Sequence, residues 1–465
     1  MENRWTLHVE NLGRIERADV TVAPLTMFVG DNNSGKSYLM ALLYALLSMQ
    51  FTGLDLCKES SAYQYCVEWI YSVASQLHFE SSAVLSMTEE VLQQFEMLLN
   101  AILEKNKSKL SKMAFNSDVE IKKVYMKFSH SMCKNFNIFL DILDGDEEYT
   151  YIIYAPDSDN FQPFHTGHGF ASPENKLKSD DLQDFLEFIL KYLIRWDFAN
   201  SWKIEMAFLP TSRTGFLLTY PSLVSDAFSR SYDALGTSTN AGQLGQLTRP
   251  CSDFLKNLPV YPRDNALDNY SSVIRFIEKN IIHGQIVRVG PGPLFSLAYQ
   301  PDSQDLNIPM HLSSGVVTEL TPLLLMLKYR PMSTLFIEEP EIELHPELQL
   351  SMARVLIRIC NQHTPVFVTT HSDTIIQHLN DMIKLNGLPE KKRAELMERF
   401  SYEASDLIAP EDVAIYQFDN QPNGKSTLQR LSANEYGFEV PTFNDTLMKI
   451  LQESRAFEWD AEDDA

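Results

Sequence analysis

The sequence predicts an α/β fold, a mixed and largely parallel sheet covered by helices and interrupted by a mainly helical insertion. Three observations predict it. An apolar strand-like run at residues 25–29 leads through a loop at 30–37 into an apolar helical stretch at 38–49. From Gly284 onward, short apolar runs alternate with stretches of helical period, the pattern of strand–helix–strand crossovers in one sheet. Between residue 51 and about residue 199, apolar residues recur at helical spacing instead.

Taken in order, residues 5–9 and 19–22 alternate as half-buried strands do. A buried strand, a loop and a helix follow at 25–29, 30–37 and 38–49, completing a first lobe at 1–50. The insertion, 51–199, carries helical periods at 87–103 and 181–196 and a turn-rich stretch at 155–172. Residues 200–284 open with a strand at 205–209, then Pro210-Thr-Ser-Arg213-Thr-Gly215, and include a helix at 270–281. The second lobe, 285–465, begins β-rich up to residue 308. It then alternates a helix at 317–329, a strand at 334–337, a helix at 347–360 and a strand at 366–370. A hairpin of 413–417 and 426–431 turns around Pro422-Asn423-Gly424, and a helix at 443–453 precedes an acidic tail.

Gly30-Asp-Asn-Asn-Ser-Gly-Lys-Ser37 fits G-x-x-x-x-G-K-[ST], with an apolar strand before it and an apolar helix after it. Glycines at this spacing let main-chain N–H groups close around phosphate oxygens, and the helix start adds its positive dipole end. The nucleotide-binding candidates are Gly30, Asn32, Asn33, Ser34, Gly35, Lys36 and Ser37. Lys36 is placed to reach the β- and γ-phosphates and Ser37 to ligate Mg²⁺. A bland alternative is an ordinary Gly-Asn turn. Asn423-Gly-Lys-Ser426 imitates the end of the pattern, but its first glycine position holds Asp419, so it reads as a hairpin turn.

The strand at 334–337 ends in Glu338 and Glu339. Ligands of α/β sheets bind at the carboxyl ends of strands, where Glu338 would hold Mg²⁺ and Glu339 would accept a proton from the attacking water. The alternative is a solvated acidic strand end. Thr369-Thr-His371-Ser closes the next strand, and His371 is placed to donate a hydrogen bond to the γ-phosphate. His311-Leu-Ser313-Ser314-Gly315 precedes a long apolar helix. Ser313, Ser314 and Gly315 there suit both helix capping and anion binding.

Composition bounds the rest. The 465 residues carry 39 basic and 62 acidic side chains, a net charge of −23. At roughly 150 residues per domain, that length suggests two or three structural units. The charge argues against broad, non-specific affinity for nucleic acid, which depends on Lys and Arg neutralising phosphates. It does not exclude a local basic patch. Residues 104–134 hold eight lysines (Lys105, Lys107, Lys109, Lys112, Lys122, Lys123, Lys127 and Lys134) against three acids, net +5, which leaves about −28 on the remainder. Five scattered cysteines without a C-x-x-C pair read as reduced. No apolar run long enough to span a membrane and no signal-peptide layout is seen, so a cytoplasmic location is expected.

In order, G-x4-G-K-S, L-S-S-G, an apolar strand with E-E and T-T-H-S resemble the ABC-type ATPase head of SMC, RecF and OLD-like proteins. Asn11-Leu-Gly-Arg-Ile-Glu-Arg-Ala-Asp19 is similar to that group's N-terminal strand pair, and Ile337-Glu-Glu-Pro-Glu341 with Leu344-His-Pro346 to its Walker B strand and following loop. The match covers about residues 1–50 and 285–375. The resemblance implies ATP and Mg²⁺ as cofactors, with ATP sandwiched in a homo-oligomer between Lys36 and Ser37 of one protomer and Ser314 and Gly315 of the other. It implies Glu339 as general base and His371 as γ-phosphate sensor. Two departures, Glu338 for the usual Asp and S-S-G-V for S-G-G-Q, imply slow hydrolysis. Arg213 reads equally as a residue approaching this site or as part of a surface loop.

Within the group, chain length, the short insertion and the motif wording resemble the ATPase subunits of PARIS anti-phage systems. That likeness implies a sensor and scaffold for a separate TOPRIM nuclease effector, triggered by an acidic phage anti-restriction protein that imitates DNA. A DNA-repair ATPase of the SMC or RecF kind competes, weakened by the absence of sustained heptads and of a Cys hook. An OLD-type nuclease is weaker still, because no D-x-D follows His371 and the pairs Asp144/Asp146 and Asp157/Asp159 read as acidic turns. The lysines at 104–134 suit DNA, a DNA-like acidic protein or a solvated helix face.

Overall fold

The computed structural model describes residues 5–49, 57–77, 82–135, 137–143, 150–154, 166–168, 179–194, 205–219, 247–258, 269–290, 296–303, 305–434, 437–441, 448–449, 451–455 and 457. The acidic tail, the pairs Asp144/Asp146 and Asp157/Asp159, most of the 155–172 stretch and the start of the helix expected at 443–453 lie outside the described residues.

Nine strands form one mixed sheet. They are β1 (Trp5–Leu12), β2 (Ile15–Thr21), β3 (Leu25–Gly30), β4 (Ile121–Phe128), β5 (Glu205–Leu209), β6 (Met332–Glu338), β7 (Val366–Thr370), β8 (Val413–Asn420) and β9 (Ser426–Arg430). Their spatial order is β4-β1-β2-β9-β8-β3-β7-β6-β5. From β8 to β5 every pairing is parallel, whereas β1 runs antiparallel to both β2 and β4. Six helices matter for the site and its surroundings: α1 (Lys36–Leu47), α2 (Glu89–Lys105), α3 (Lys107–Phe115), α4 (Gly315–Tyr329), α5 (Pro346–Cys360) and α6 (Asp373–Gly387).

The α/β class and the parallel order follow the sequence reading, and the strand at 366–370 and the strand at 205–209 fall where it placed them. Two features differ. The insertion, read as mainly helical, also carries a separate four-stranded antiparallel sheet of Ser82–Ser86, Asn137–Leu143, Thr150–Tyr154 and Thr166–His168. The other difference lies in the main sheet. β4 comes from the Lys-rich part of the insertion, yet it is an edge of the main sheet, paired with β1 from Trp5↔Phe128 to Leu12↔Ile121. Its apolar residues Ile121, Val124, Met126 and Phe128 are buried while Lys122, Lys123 and Lys127 are exposed. A short strand with one apolar side is completed by a neighbour far away in sequence, so the lobe boundary at residue 50 does not divide the sheet.

Strand alternation sends successive side chains to opposite faces, and the sheet separates two cores. On one face lie Leu25, Met27, Val29, Leu335, Ile337, Val366 and Val368 with α4, α5 and α6. On the other lie Phe28, Phe336, Phe367, Tyr416 and Phe418 with α1, α2 and α3. Under α1, Phe336 stacks on Phe367 at 4.6 Å between centroids and on Phe208 at 6.1 Å. Tyr44 meets Phe208 and Phe336 edge-on, both at 5.5 Å. Phe336 is fully buried at the centre of this layer. Phe336→Ala is therefore expected to destabilise by about 3–5 kcal/mol, the range for emptying a large core aromatic, read as a lower denaturant midpoint at unchanged slope.

Among the described residues no helix is long and apolar enough to cross a membrane.

Candidate active site

Three neighbouring parallel strands deliver the expected site residues to one end of the sheet. β3 ends in the phosphate loop, β6 in Glu338 and β7 in Thr370, next to His371. The register pairs Glu338 with Thr369 and Thr370 with Val29, fixing these ends side by side.

The phosphate loop is shaped by residues with positive φ: Gly30 at 130°, Asn33 at 61° and Gly35 at 107°. A Cβ on Gly30 would stand 2.7 Å from the Phe418 carbonyl, and one on Gly35 would stand 2.8 Å from Ile15 Cγ1. Glycine is thus demanded at both positions by conformation and by space. Gly35 caps α1, so the helix starts at Lys36, two residues before the expected start. The hairpin turn at 421–425 braces the loop from outside, as Ser426 Oγ donates to the Ser34 carbonyl at 2.6 Å. The imitation motif at 423–426 is thus a turn between β8 and β9 that supports the true loop.

Lys36 is buried, with Nζ donating to the carbonyls of Gly30 (2.9 Å) and Asp31 (2.6 Å). Burial pushes its amine down to about 8, against the upward pull of Glu339, Asp31 and Glu341. Two consequences of opposite sign follow. The nucleotide-free protein gains stability as pH rises from about 8 toward the ordinary lysine value of 10.5, because the unfolded chain holds that proton more tightly. For a nucleotide whose phosphates meet Lys36, as the sequence predicts, affinity is expected to fall over the same range, by up to about tenfold per pH unit, because a phosphate needs the charged amine. Calorimetric titration with a non-hydrolysable ATP analogue and thermal melts, both between about pH 7 and 9, check the two signs.

Glu338 is buried and accepts hydrogen bonds from the Ser37 hydroxyl and the Thr211 N–H; burial raises its pKa, opposed first by these bonds. Ser37 Oγ and the Glu338 carboxylate are therefore adjacent hard oxygen donors, the set from which Mg²⁺ takes one or two protein ligands while keeping waters and phosphate oxygens. The residues fit that ion. Among the described residues no group of three or more His, Cys, Asp and Glu assembles into an all-protein metal cage.

Glu339 sits in the left-handed region at φ 45°, uncommon for a non-glycine residue and typical of places where structure is held against local preference. Its N–H donates to the Thr369 carbonyl at 2.8 Å. Its Oε1 lies 3.7 Å from His371 Nε2. Burial and Lys36 push the His371 imidazole below the ordinary histidine value, against the pull of Glu339 and Asp31. That direction favours the uncharged ring beside the Glu339 carboxylate. The chain around His371 is fixed by its own N–H, which donates to Glu341 Oε1 at 2.6 Å. Ser372 Oγ donates to Gln349 Oε1 at 2.6 Å and Gln349 Nε2 to the Leu344 carbonyl at 2.9 Å, joining this turn to the loop before α5.

Ser313, Ser314 and Gly315 stand at the start of α4, with Ser314 as its N-cap and Ser313 Oγ donating to the Pro309 carbonyl at 3.2 Å. Gly315 lies against Glu343, whose Oε2 would be 2.5 Å from a Cβ there. The structure brings together Lys36, Ser37, Glu338, Glu339 and His371; among the described residues no hydrogen bond links Ser313, Ser314 or Gly315 to the phosphate loop.

Arg213, read from sequence as either near the site or on the surface, is 1% exposed and lies beneath the Glu338–Glu339 turn. Nη1 donates to the Glu338 carbonyl (2.7 Å) and Nη2 to the Glu339 carbonyl (3.2 Å), with Glu319 Oε1 2.7 Å from Nη2. Sequence reasoning assigned no role to Glu319, Glu341 or Gln349. An acid inside the otherwise apolar run of α4 was the available signal for Glu319, since a buried carboxylate requires a partner.

The AAA ATPase domain family matches residues 6–197 and 261–376. No curated protein matches the chain. Among solved structures it is similar to an SMC head bound to the C-winged helix domain of ScpA, at 11% identity and a TM-score of 0.36, over 92% of this chain and 98% of that one. An SMC head with an extended coiled coil bound to the C-terminal domain of ScpA, derived from Pyrococcus furiosus, gives 11%, 0.32, 97% and 98%. The SMC head domain from Thermotoga maritima gives 11%, 0.31, 93% and 100%.

Proposed function

The chain belongs to the AAA ATPase domain family, and from that premise we propose that it binds MgATP at the phosphate loop, hydrolyses it slowly, and uses the cycle as the sensor and scaffold subunit of an anti-phage complex. One observation carries the catalytic part. Lys36, Ser37, Glu338, Glu339 and His371 converge at the ends of three adjacent parallel strands.

Loop N–H groups wrap the phosphates, and the Lys36 amine leaves the Gly30 and Asp31 carbonyls for phosphate oxygens. Ser37 and Glu338 would hold Mg²⁺, which when bound would supply charge neutralisation for the phosphates. Glu339 accepts the proton of the attacking water. The neutral His371 ring donates to the γ-phosphate from the nitrogen that carries its proton. Ser313, Ser314 and Gly315, at the start of α4, close the site of a second copy, which gives a homo-oligomer built on ATP-sandwich dimers.

The finer reading rests on the resemblance to AriA, the ATPase of the PARIS system, and on charge. Its partner would be a TOPRIM nuclease of the AriB kind, and its trigger an acidic, DNA-imitating phage protein. An acidic body with exposed Lys122, Lys123 and Lys127 along one sheet edge suits such a trigger. The same lysines favour a second reading, an SMC- or RecF-like DNA-repair ATPase. A pull-down from phage-infected cells separates the two. Co-purification of a nuclease and an acidic phage protein supports the first, and salt-sensitive duplex binding by the isolated protein with no protein partner sinks it.

A further inference from the structure

We infer that Arg213 is a positioning residue that clamps the Glu338–Glu339 turn to helix α4, so that the general base and the segment carrying Ser314 and Gly315 move as one unit. Its guanidinium reaches three pieces of chain. It donates to its own segment at the Pro210 carbonyl (3.1 Å). It donates to the carbonyls of Glu338 (2.7 Å) and Glu339 (3.2 Å). On α4 it donates to the Glu319 carbonyl (3.3 Å) and meets the Glu319 carboxylate at 2.7 Å. Glu319 is itself 1% exposed and accepts from Thr214 Oγ1.

A buried Arg–Glu pair alone is weak evidence for anything but its own neutralisation. The buried pair of Arg358 with Asp406 is an example, since there the guanidinium meets carboxylates and the Phe276 ring. Arg213 differs because its fork ends on the two main-chain carbonyls of the catalytic turn. Glu339 is held at φ 45° from both sides, by its N–H on Thr369 and by Arg213 on its carbonyl. A planar, five-donor group can span these acceptors, and the point charge of lysine cannot. A displacement of Glu319 along α4 is transmitted through the guanidinium to the peptide that aims the Glu339 side chain. Occupation of the α4 start by a partner's nucleotide thereby bears on the base, through residues of one chain.

The inference rests on the assignment of Glu339 as general base, and the test keeps the two separable. Arg213→Lys and Glu319→Gln are made in the wild-type and Glu339→Gln backgrounds, with Lys36→Ala alongside. Phosphate release, affinity for a fluorescent ATP analogue, and melting temperature are measured for each. Arg213→Lys is expected to hold the analogue within about threefold of wild type while kcat falls about 10²-fold, the scale of an ångström-level misplacement. In the Glu339→Gln background it is expected to cost nothing further. An equal loss in both backgrounds, or a loss in affinity at constant kcat, overturns the inference. Glu319→Gln keeps the guanidinium and its carbonyl contacts, so it reports even if Arg213→Lys does not fold. It is expected to lower kcat at constant affinity, and an unchanged kcat overturns the coupling. Wild-type turnover no higher than that of Lys36→Ala instead refutes the ATPase assignment itself.

Discussion

Glu339→Gln is expected to hold ATP with wild-type affinity and to lose about 10²–10⁴-fold in turnover, the usual contribution of a positioned general base. The expectation comes from where Glu339 stands. It follows Glu338, which is buried and occupied by Ser37 and Thr211, whereas the Glu339 side chain is one-third exposed and faces His371. The Glu338 carboxylate is already engaged by Ser37 and Thr211, and Glu339 has the open carboxylate that a water can reach. Glutamine keeps the shape and removes the proton acceptor, so binding and chemistry should separate. Glu339→Ala should behave alike in retaining binding and losing turnover. A fluorescent-analogue titration beside a phosphate-release assay reads both quantities, and normal hydrolysis by either variant would reassign the base.

The second large effect is at Lys36. Lys36→Ala is expected to abolish measurable nucleotide binding, since charge-assisted hydrogen bonds are worth about 1.5–3 kcal/mol each and the amine is placed to make two or more with phosphate. Hydrolysis is lost as a consequence. The fold should survive, because Nζ has main-chain carbonyls and the Ser34 hydroxyl as its hydrogen-bond acceptors. Burying that amine also opposes its charge. Circular dichroism at wild-type amplitude together with no analogue binding is the expected pair of results. Binding within tenfold of wild type would contradict the assignment of the loop, on the scale of about 1.4 kcal/mol per decade.

Much of this site was legible because its chemistry is written in short, contiguous strings. Residues 25–37, 334–339 and 366–371 each carry their own apolar strand and their own polar end. Parallel order then follows from alternation with helices. What escaped was what depends on long-range packing. Arg213 meets residues more than one hundred positions away, Glu319 by 106 and Glu338 by 125, and nothing around Pro210–Gly215 distinguishes a buried clamp from a loop. β4 escaped for a related reason. Its apolar spacing breaks between Ile121 and Val124, and its lysines dominate the composition, so its membership in the sheet becomes visible only beside β1. Glu341 was visible as part of the acidic string, but its task, accepting the His371 N–H, is set by the turn after β7.

The central claim is that ATP bound at the phosphate loop is cleaved by Glu339. Single-turnover hydrolysis tests it most directly, with enzyme in excess over labelled ATP and the wild type compared with Glu339→Gln in the same preparation. The account predicts that wild type converts the bound ATP to ADP and phosphate while Glu339→Gln holds it intact over the same interval. Equal conversion by both proteins, or none by the wild type, would contradict it.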